Sequence, residues 1–235
     1  MPAEPIPVVL LPGLEGTGRL FARFVAAATG TLDLRVVRYP PERALGYRAL
    51  MTLVRKQLPR QRRWAILGES FSGPLALRLA ADEPRGLQAV VLAASFHRQP
   101  ARRWLAAFRT AAPLFFSAPM AAPVVRALLA GMDAPGDLVT EVRDAVAAVP
   151  GRVMVVRAEE ALEVDATRPL QASRLPLLVL SGRHDRLLRR AIPEEIHALR
   201  PDAEIRLLDA PHLLLQRQPA RSMALLEDFL RRAAA

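Results

Sequence analysis

The sequence predicts an α/β fold in which helices cover both faces of a doubly wound, mostly parallel sheet. Short apolar runs typical of buried strands alternate with longer stretches whose apolar residues have helical spacing. With 235 residues, 51% of them hydrophobic, the chain can bury a large core. No linker or internal repeat divides it, so we predict a single domain over residues 1–235.

The first half of the chain alternates regularly between the two element types. The run 6–11 is continuously apolar and ends at Pro12, as a strand buried on both faces does. In the stretch 19–28 the apolar residues share one helical face. The predicted elements that follow are strand 32–39, helix 47–58, strand 63–67, helix 71–81 and strand 87–94.

The alternation stops after the fourth strand and resumes late in the chain. Residues 98–168 are rich in Ala, Leu and Val, contain several prolines, and predict a helical lid over the carboxyl ends of the strands. Its larger apolar residues could line an acyl pocket or pack the lid against the body: Trp104, Phe108, Leu114, Phe115, Phe116 and Met120. Strand 175–180, helix 192–199, strand 204–208 and helix 217–232 follow.

Composition limits the classes of function. The absence of Cys excludes disulfides, thiolate catalysis and Cys-ligated zinc, and it fits a reducing cytosol. The net charge of +10 comes from arginines scattered along the chain, because Lys56 is the only lysine. Scattered arginines without interleaved aromatic residues favour a compositional bias over nucleic-acid binding.

Targeting and membrane signals are not evident in the sequence. The first residues lack the basic and apolar regions of a signal peptide, which predicts a cytoplasmic protein. The apolar stretch 110–125 is too short for a membrane span and is interrupted by three prolines.

The segment 68–73, Gly-Glu-Ser-Phe-Ser-Gly, links the third predicted strand to the following helix. A serine flanked by small residues between a strand and a helix is the layout of a nucleophile elbow, in which the serine backbone is strained. Ser70 is therefore the predicted nucleophile. This pattern also occurs by chance, so the chain must supply a base, an acid and an oxyanion hole.

A serine hydroxyl needs a general base, and the base needs an orienting acid. Among the four histidines, His212 follows the last strand and is the predicted base, ahead of His97, His184 and His197. Asp185 follows an apolar strand and a Gly turn and is the predicted acid, with Asp209 as the alternative. The order Ser70, Asp185, His212 is the order in elbow-type hydrolases.

The oxyanion hole requires two preorganised N–H donors. We predict the amide of Phe71, directly after the nucleophile, and the amide of Leu14, in the glycine-rich loop after the first strand. This loop has the glycine spacing of a P-loop, but Arg19 and Leu20 replace the Lys and the Mg²⁺-binding hydroxyl. Its spacing also differs from a dinucleotide-binding fingerprint, so an oxyanion turn is the better interpretation.

Together these segments resemble the α/β-hydrolase superfamily. The resemblance spans nearly the whole chain and rests on Leu11–Gly18, Gly68–Gly73, Gly182–Asp185 and Pro211–His212. It implies the eight-stranded fold with its first strands shortened or missing, and Ser-His-Asp acyl chemistry without a cofactor or metal. Two departures are Pro12 before Gly13, where many members have His, and Pro211 before His212, where Gly is common.

The sequence thus predicts a serine hydrolase of the carboxylesterase or thioesterase type, acting on a small, hydrophobic acyl substrate. Two alternatives use the same pocket: an acyltransferase in which an alcohol replaces water, and a catalytically silent ligand-binding protein. A nucleic-acid-binding protein is a third alternative, suggested only by the charge. The physiological substrate and the oligomeric state are left open.

Overall fold

Six parallel strands form one sheet in the computed structural model, which describes residues 4–60, 63–98 and 120–233. The strand order is β2-β1-β3-β4-β5-β6, and every neighbouring pair is parallel. The strands are β1 (Ile6–Leu11), β2 (Leu32–Val36), β3 (Trp64–Glu69), β4 (Leu87–Ala93), β5 (Leu177–Gly182) and β6 (Glu204–Leu208). The order reverses at β1 and β3, so the carboxyl ends of β1 and β3 lie side by side at the middle of one edge.

Helices cover both faces of the sheet. In chain order they are α1 (Ala22–Ala26), α2 (Tyr47–Arg55), α3 (Gly73–Ala81), α4 (Ala122–Val125), α5 (Gly136–Ala147), α6 (Gly151–Glu163), α7 (Thr167–Ala172), α8 (Ile192–Leu199), α9 (Leu214–Arg217) and α10 (Pro219–Ala233). Short 3₁₀ turns span Arg19–Phe21 and Ser70–Ser72, and a π-helical turn spans Arg126–Ala130. No described helix is long and apolar enough to cross a membrane.

Side-chain alternation along the strands divides the core into two layers. In β1, Val9 and Leu11 pack in the layer under α2, α3 and α8, whereas Val8 and Leu10 pack in the layer under α1 and α10. Successive residues of a strand point to opposite faces, so a strand covered on both faces must be apolar throughout. The α/β fold with a parallel sheet and helices on both faces, predicted from these apolar runs, is confirmed.

Strand boundaries differ from the prediction in four of the six strands, the fourth by a single residue at its end. The second strand ends at Val36, before the predicted end, because the chain leaves the sheet and the amide of Tyr39 donates to the Gly16 carbonyl at 2.8 Å. The third strand continues to Glu69, directly up to Ser70. The fifth starts at Leu177, after Pro176, which has no amide hydrogen to donate to a neighbouring strand.

Residues 120–172, hereafter the β4–β5 segment, contain α4 to α7 and fill the predicted lid region where it is described. The side chain of Met120 is half-buried and packs against Leu138, Val142 and their neighbours. The other apolar candidates of the predicted lid lie outside the described residues: Trp104, Phe108, Leu114, Phe115 and Phe116.

Candidate active site

The turn between β3 and α3 holds Ser70 in a strained backbone conformation. Ser70 has a φ of 48°, which lies in the left-handed region that residues with a side chain rarely adopt. The two flanking glycines are required by close packing: a Cβ on Gly68 would lie 2.6 Å from the Ser72 carbonyl oxygen, and one on Gly73 would lie 1.8 Å from Ser95 Oγ. The strand-turn-helix geometry predicted for 68–73 is therefore present.

Ser72, the second serine of this turn, has a different environment from Ser70. It is fully buried, its hydroxyl donates to the carbonyl of Pro12, and the Tyr39 hydroxyl lies 2.7 Å from its Oγ. Because Ser72 already donates to Pro12, the Tyr39 hydroxyl is the donor of that second bond. Ser72 therefore connects the elbow to the loop after β1 and is not exposed as a nucleophile.

Three side chains from three different strand ends meet at the edge of the sheet. His212 Nε2 lies 3.0 Å from Ser70 Oγ, and His212 Nδ1 lies 2.7 Å from Asp185 Oδ2. The other carboxylate oxygen of Asp185 accepts the amides of Leu187 and Leu188 at 2.8 and 2.9 Å. The structure thus brings together the three residues that the sequence predicted as nucleophile, base and acid.

Burial and charge set the protonation of the pair. Burial of Asp185 acts to raise its pKa, but the His212 charge and hydrogen bond, with the Leu187 and Leu188 amides, outweigh it and lower the pKa. Burial of His212 acts to lower its pKa, but the charge and hydrogen bond of Asp185 outweigh it and raise the pKa. An ionised Asp185 therefore accepts the Nδ1 proton, which leaves Nε2 free to accept from Ser70.

The loops after β5 and β6 pack directly on each other, which fixes the distance between Asp185 and His212. The amides of Arg183 and His184 donate across to the carbonyls of Leu208 and Ala210. A Cβ on Gly182 would lie 2.4 Å from the Pro211 carbonyl oxygen, so only glycine allows this approach.

The remaining histidines lie elsewhere. His184, exposed, pairs with the exposed Asp209 at 2.6 Å, and His197 is exposed on α8. His97 is fully buried, and its ring makes no hydrogen bond within the described ranges; its Nε2 lies 3.9 Å from Glu195 Oε2. Of the candidate bases, His212 is the one whose ring contacts Ser70, and Asp185 is the candidate acid that contacts His212.

The glycine-rich loop after β1 lies beside the nucleophile. A Cβ on Gly13 would lie 3.9 Å from Ser70 Cβ, and the amide of Gly16 donates back to the Gly13 carbonyl at 3.1 Å. Leu14 is thus in the turn next to Ser70, and Phe71 is the first residue after Ser70. The Phe71 ring stacks on Tyr47 with a centroid distance of 4.6 Å, which anchors the start of the helical turn.

Solved structures with this architecture cover almost the whole chain. An enol-lactonase from Burkholderia xenovorans matches with a TM-score of 0.80 and 18% identity, over 97% of this chain and 92% of its own. An esterase from Exiguobacterium antarcticum matches with a TM-score of 0.81 and 15% identity, over 96% and 92%. A carboxylesterase structure from Nitrososphaera gargenis matches with a TM-score of 0.79 and 16% identity, over 98% and 92%.

The chain has the α/β-hydrolase fold. This agrees with the resemblance found in the sequence motifs. In sequence, the chain is 28% identical to part of the polyketide synthase ThaQ from Burkholderia thailandensis, an alignment that covers 97% of this chain. The chain spans only 12% of the length of that protein. No protein-family model matches the sequence.

Sequence reasoning missed two buried carboxylates beneath the site of this α/β-hydrolase-fold protein. Glu69 directly precedes Ser70, is buried, and accepts a hydrogen bond from Gln216 Nε2 at 2.8 Å. Glu15 is buried in the loop after β1 and accepts the amide of Thr17. From sequence alone, a glutamate next to a glycine or serine in a loop is expected to be solvent-exposed. Only the packing of α9 and the loop after β1 buries Glu69 and Glu15.

The environment of Glu69 raises its pKa to about 7, mainly through burial and further through the nearby charge of Glu15. A carboxyl whose pKa in the folded state exceeds its ordinary value of 4.5 favours folding while it is protonated. That contribution is complete below pH 4.5 and is lost as the pH rises to about 7.

We expect Glu69→Gln to remove this pH-dependent loss of stability. The Tm of the variant relative to the unsubstituted protein should rise between pH 4.5 and about pH 7 and then level off. Thermal unfolding across this pH range measures the difference. Glu194→Gln, at an exposed position, is the control and should give no such trend. Parallel Tm curves for Glu69→Gln and the unsubstituted protein would contradict titration of Glu69 in this range.

Proposed function

We propose that this protein is a serine hydrolase that cleaves a carboxylic ester or thioester through an acyl-enzyme intermediate. The observation that carries the proposal is the continuous hydrogen-bonded chain from Ser70 Oγ to His212 Nε2 and from His212 Nδ1 to Asp185. A nucleophile, a base and an orienting acid linked in this way are what acyl transfer by serine requires.

Ser70, His212 and Asp185 each have one role in the proposed reaction. Ser70 Oγ attacks the acyl carbonyl carbon while His212 Nε2 takes the hydroxyl proton, and Asp185 remains ionised and stabilises the imidazolium. The tetrahedral intermediate collapses as His212 returns the proton to the leaving alcohol or thiol. Water then attacks the acyl-enzyme while His212 takes its proton. The second tetrahedral intermediate collapses as His212 returns the proton to Ser70 Oγ, and the carboxylic acid is released.

The negative charge on the carbonyl oxygen needs two fixed donors in this scheme. We assign them to the amide of Phe71, the residue after the nucleophile, and to the amide of Leu14, whose neighbour Gly13 lies beside Ser70. The Phe71 amide is at the start of a helical turn, where backbone N–H groups have no intrahelical acceptor.

The comparisons support a hydrolase acting on small acyl compounds. Esterases and carboxylesterases recur among the proteins of the same fold. The likeness to a segment of a polyketide synthase supports acyl chemistry. We propose that the β4–β5 segment acts as the lid, since it contacts the loop of His212 through the Leu213 amide and the Leu129 carbonyl at 3.0 Å.

Labelling with a fluorophosphonate probe tests the proposed function directly. The probe phosphonylates an activated serine, so we expect one modified peptide with the label on Ser70 and not on Ser72. Ser70→Ala and heat-denatured protein are the controls and should both remain unlabelled. Unlabelled folded protein, or a label on another serine, would contradict the proposal.

A further inference from the structure

Arg157 is a fully buried arginine in the middle of α6, and it contacts the loop that adjoins Ser70. Its Nη1 donates to the carbonyl oxygens of Leu14 and Glu15 at 3.0 and 2.8 Å, and its Nη2 donates to the Pro40 carbonyl at 3.2 Å. The guanidinium also lies over the Tyr39 ring, 5.6 Å from its centroid. A buried charge is unfavourable unless its donors are used. Nη1 and Nη2 donate to backbone carbonyls, whereas Nε has no partner among the described residues.

The shape of the loop fits the guanidinium closely. Gly16 has a φ of 71°, and a Cβ there would lie 2.5 Å from Arg157 Nη1 and 2.9 Å from the Tyr39 ring. The glycine therefore permits both the left-handed turn and the approach of the arginine. Only the folded structure relates these residues, since Arg157 is 142 positions from Glu15 in sequence.

The first peptide group of the loop is held by the elbow. The carbonyl of Pro12 accepts from the Ser72 hydroxyl. The next carbonyl, that of Gly13, accepts from the Gly16 amide. These bonds set the planes of the peptide groups before Leu14.

Arg157 orients the two peptide groups that follow Leu14. Its bonds to the carbonyls of Leu14 and Glu15 fix the two following peptide groups, and together with the Gly13 carbonyl bond they determine the backbone angles of Leu14. Within the described residues, the amide of Leu14 itself has no hydrogen-bond acceptor. The direction of the Leu14 N–H is thus fixed by the hydrogen bonds of the adjoining peptide groups, and this N–H stays available to donate to a ligand oxygen.

The helix that carries Arg157 is docked by a second, separate contact. Glu160, one turn further along α6, accepts the amide of Tyr47 at 2.8 Å. Removal of the guanidinium therefore leaves α6 attached to the body of the protein. This separates the local effect on the loop from the position of the helix.

We propose that Arg157 is a positioning residue that holds the Leu14 amide in the orientation needed to bind the oxyanion. The inference rests on the proposed serine-hydrolase function. The donor after β1 is then in place only while α6 is docked, so the β4–β5 segment contributes to stabilisation of the transition state without contacting the substrate. Arg157 acts through the loop and is not a catalytic residue.

Steady-state kinetics of Arg157→Lys and Arg157→Met test the proposal. We expect kcat for a p-nitrophenyl ester to fall by about 10²-fold in Arg157→Met, with little change in KM, as when one oxyanion donor is lost. Arg157→Lys should retain part of the activity, because an ammonium can donate to one or two of the carbonyls but cannot match the fork of the guanidinium. Affinity for an alkylboronic acid, whose serine adduct is tetrahedral, should fall in parallel with kcat.

Arg152→Met is the matched control, since Arg152 is exposed on the same helix and its contact with the Glu42 carbonyl is long, at 3.4 Å. Its kinetics and boronate affinity should be unchanged. Should Arg157→Met fail to fold, Arg157→Lys decides the matter by the same two measurements. A lower Tm with unchanged kcat and boronate affinity in the folded variant would overturn the proposal. Failure of the serine-hydrolase function is a separate result, seen as no turnover and no probe labelling in the unsubstituted protein.

Discussion

His212→Ala is expected to lower kcat for a p-nitrophenyl ester by about 10⁶-fold, the scale at which loss of the base is as severe as loss of the whole triad. The reason is that Ser70 Oγ has its hydrogen-bonding base at His212 Nε2, 3.0 Å away, and a serine hydroxyl does not ionise near neutral pH. Turnover should be measured on protein whose folded fraction has been established by circular dichroism.

His197→Ala provides the comparison for that variant. His197 is exposed on α8 and should tolerate the substitution with full activity. A loss in folded His197→Ala equal to that in His212→Ala would show that the base is wrongly assigned. The residual activity of His212→Ala should also be the same in different buffers that contain no imidazole, because no other proton acceptor then replaces the ring at Ser70.

Asp185→Asn is expected to lower kcat by about 10⁴-fold. The amide can keep accepting the Leu187 and Leu188 amides through its oxygen, so the loop should hold its shape. Its NH₂ group would then face His212 Nδ1 and favour the tautomer with the proton on Nε2, which cannot accept from Ser70. It also removes the charge that raises the pKa of His212 and stabilises the imidazolium.

Asp209→Asn is the matched control for the acid. Asp209 is exposed, lies on the neighbouring loop, and pairs with His184 instead of His212. We expect its kcat to be unchanged. An intact rate in Asp185→Asn together with a large loss in Asp209→Asn would transfer the role of the acid to Asp209.

The residues of the candidate site that could be predicted are those tied to local patterns. Ser70 follows β3 directly, Asp185 and His212 lie in the loops after β5 and β6, and parallel strands place their carboxyl ends at one edge of the sheet. The order of the three along the chain matches that of elbow-type hydrolases, but it does not separate Asp185 from Asp209, which also lies between Ser70 and His212. The requirement for small residues at the two ends of 68–73 was predicted from the turn type. The close contacts at Gly68 and Gly73 are the physical reason for it.

Residues that act across the fold could not be predicted in this way. Arg157 is one of many arginines in the sequence, and the α6 pattern does not distinguish it from the exposed Arg152. Glu69 has the polarity of a surface residue, yet α9 supplies Gln216 and buries it. Neither environment has a local signal, because each depends on a contact between segments more than 100 positions apart.

The sequence by itself predicted the α/β class, the approximate positions of the strands and the candidate nucleophile, base and acid, because strand period, turn chemistry and chain order are local properties. Only the tertiary structure decided which carboxylate His212 pairs with, how Ser72 and Tyr39 join the elbow to the loop after β1, and that an arginine of α6 holds that loop. In each case several side chains have the same chemistry. Packing selects among them because it brings only one within hydrogen-bond distance.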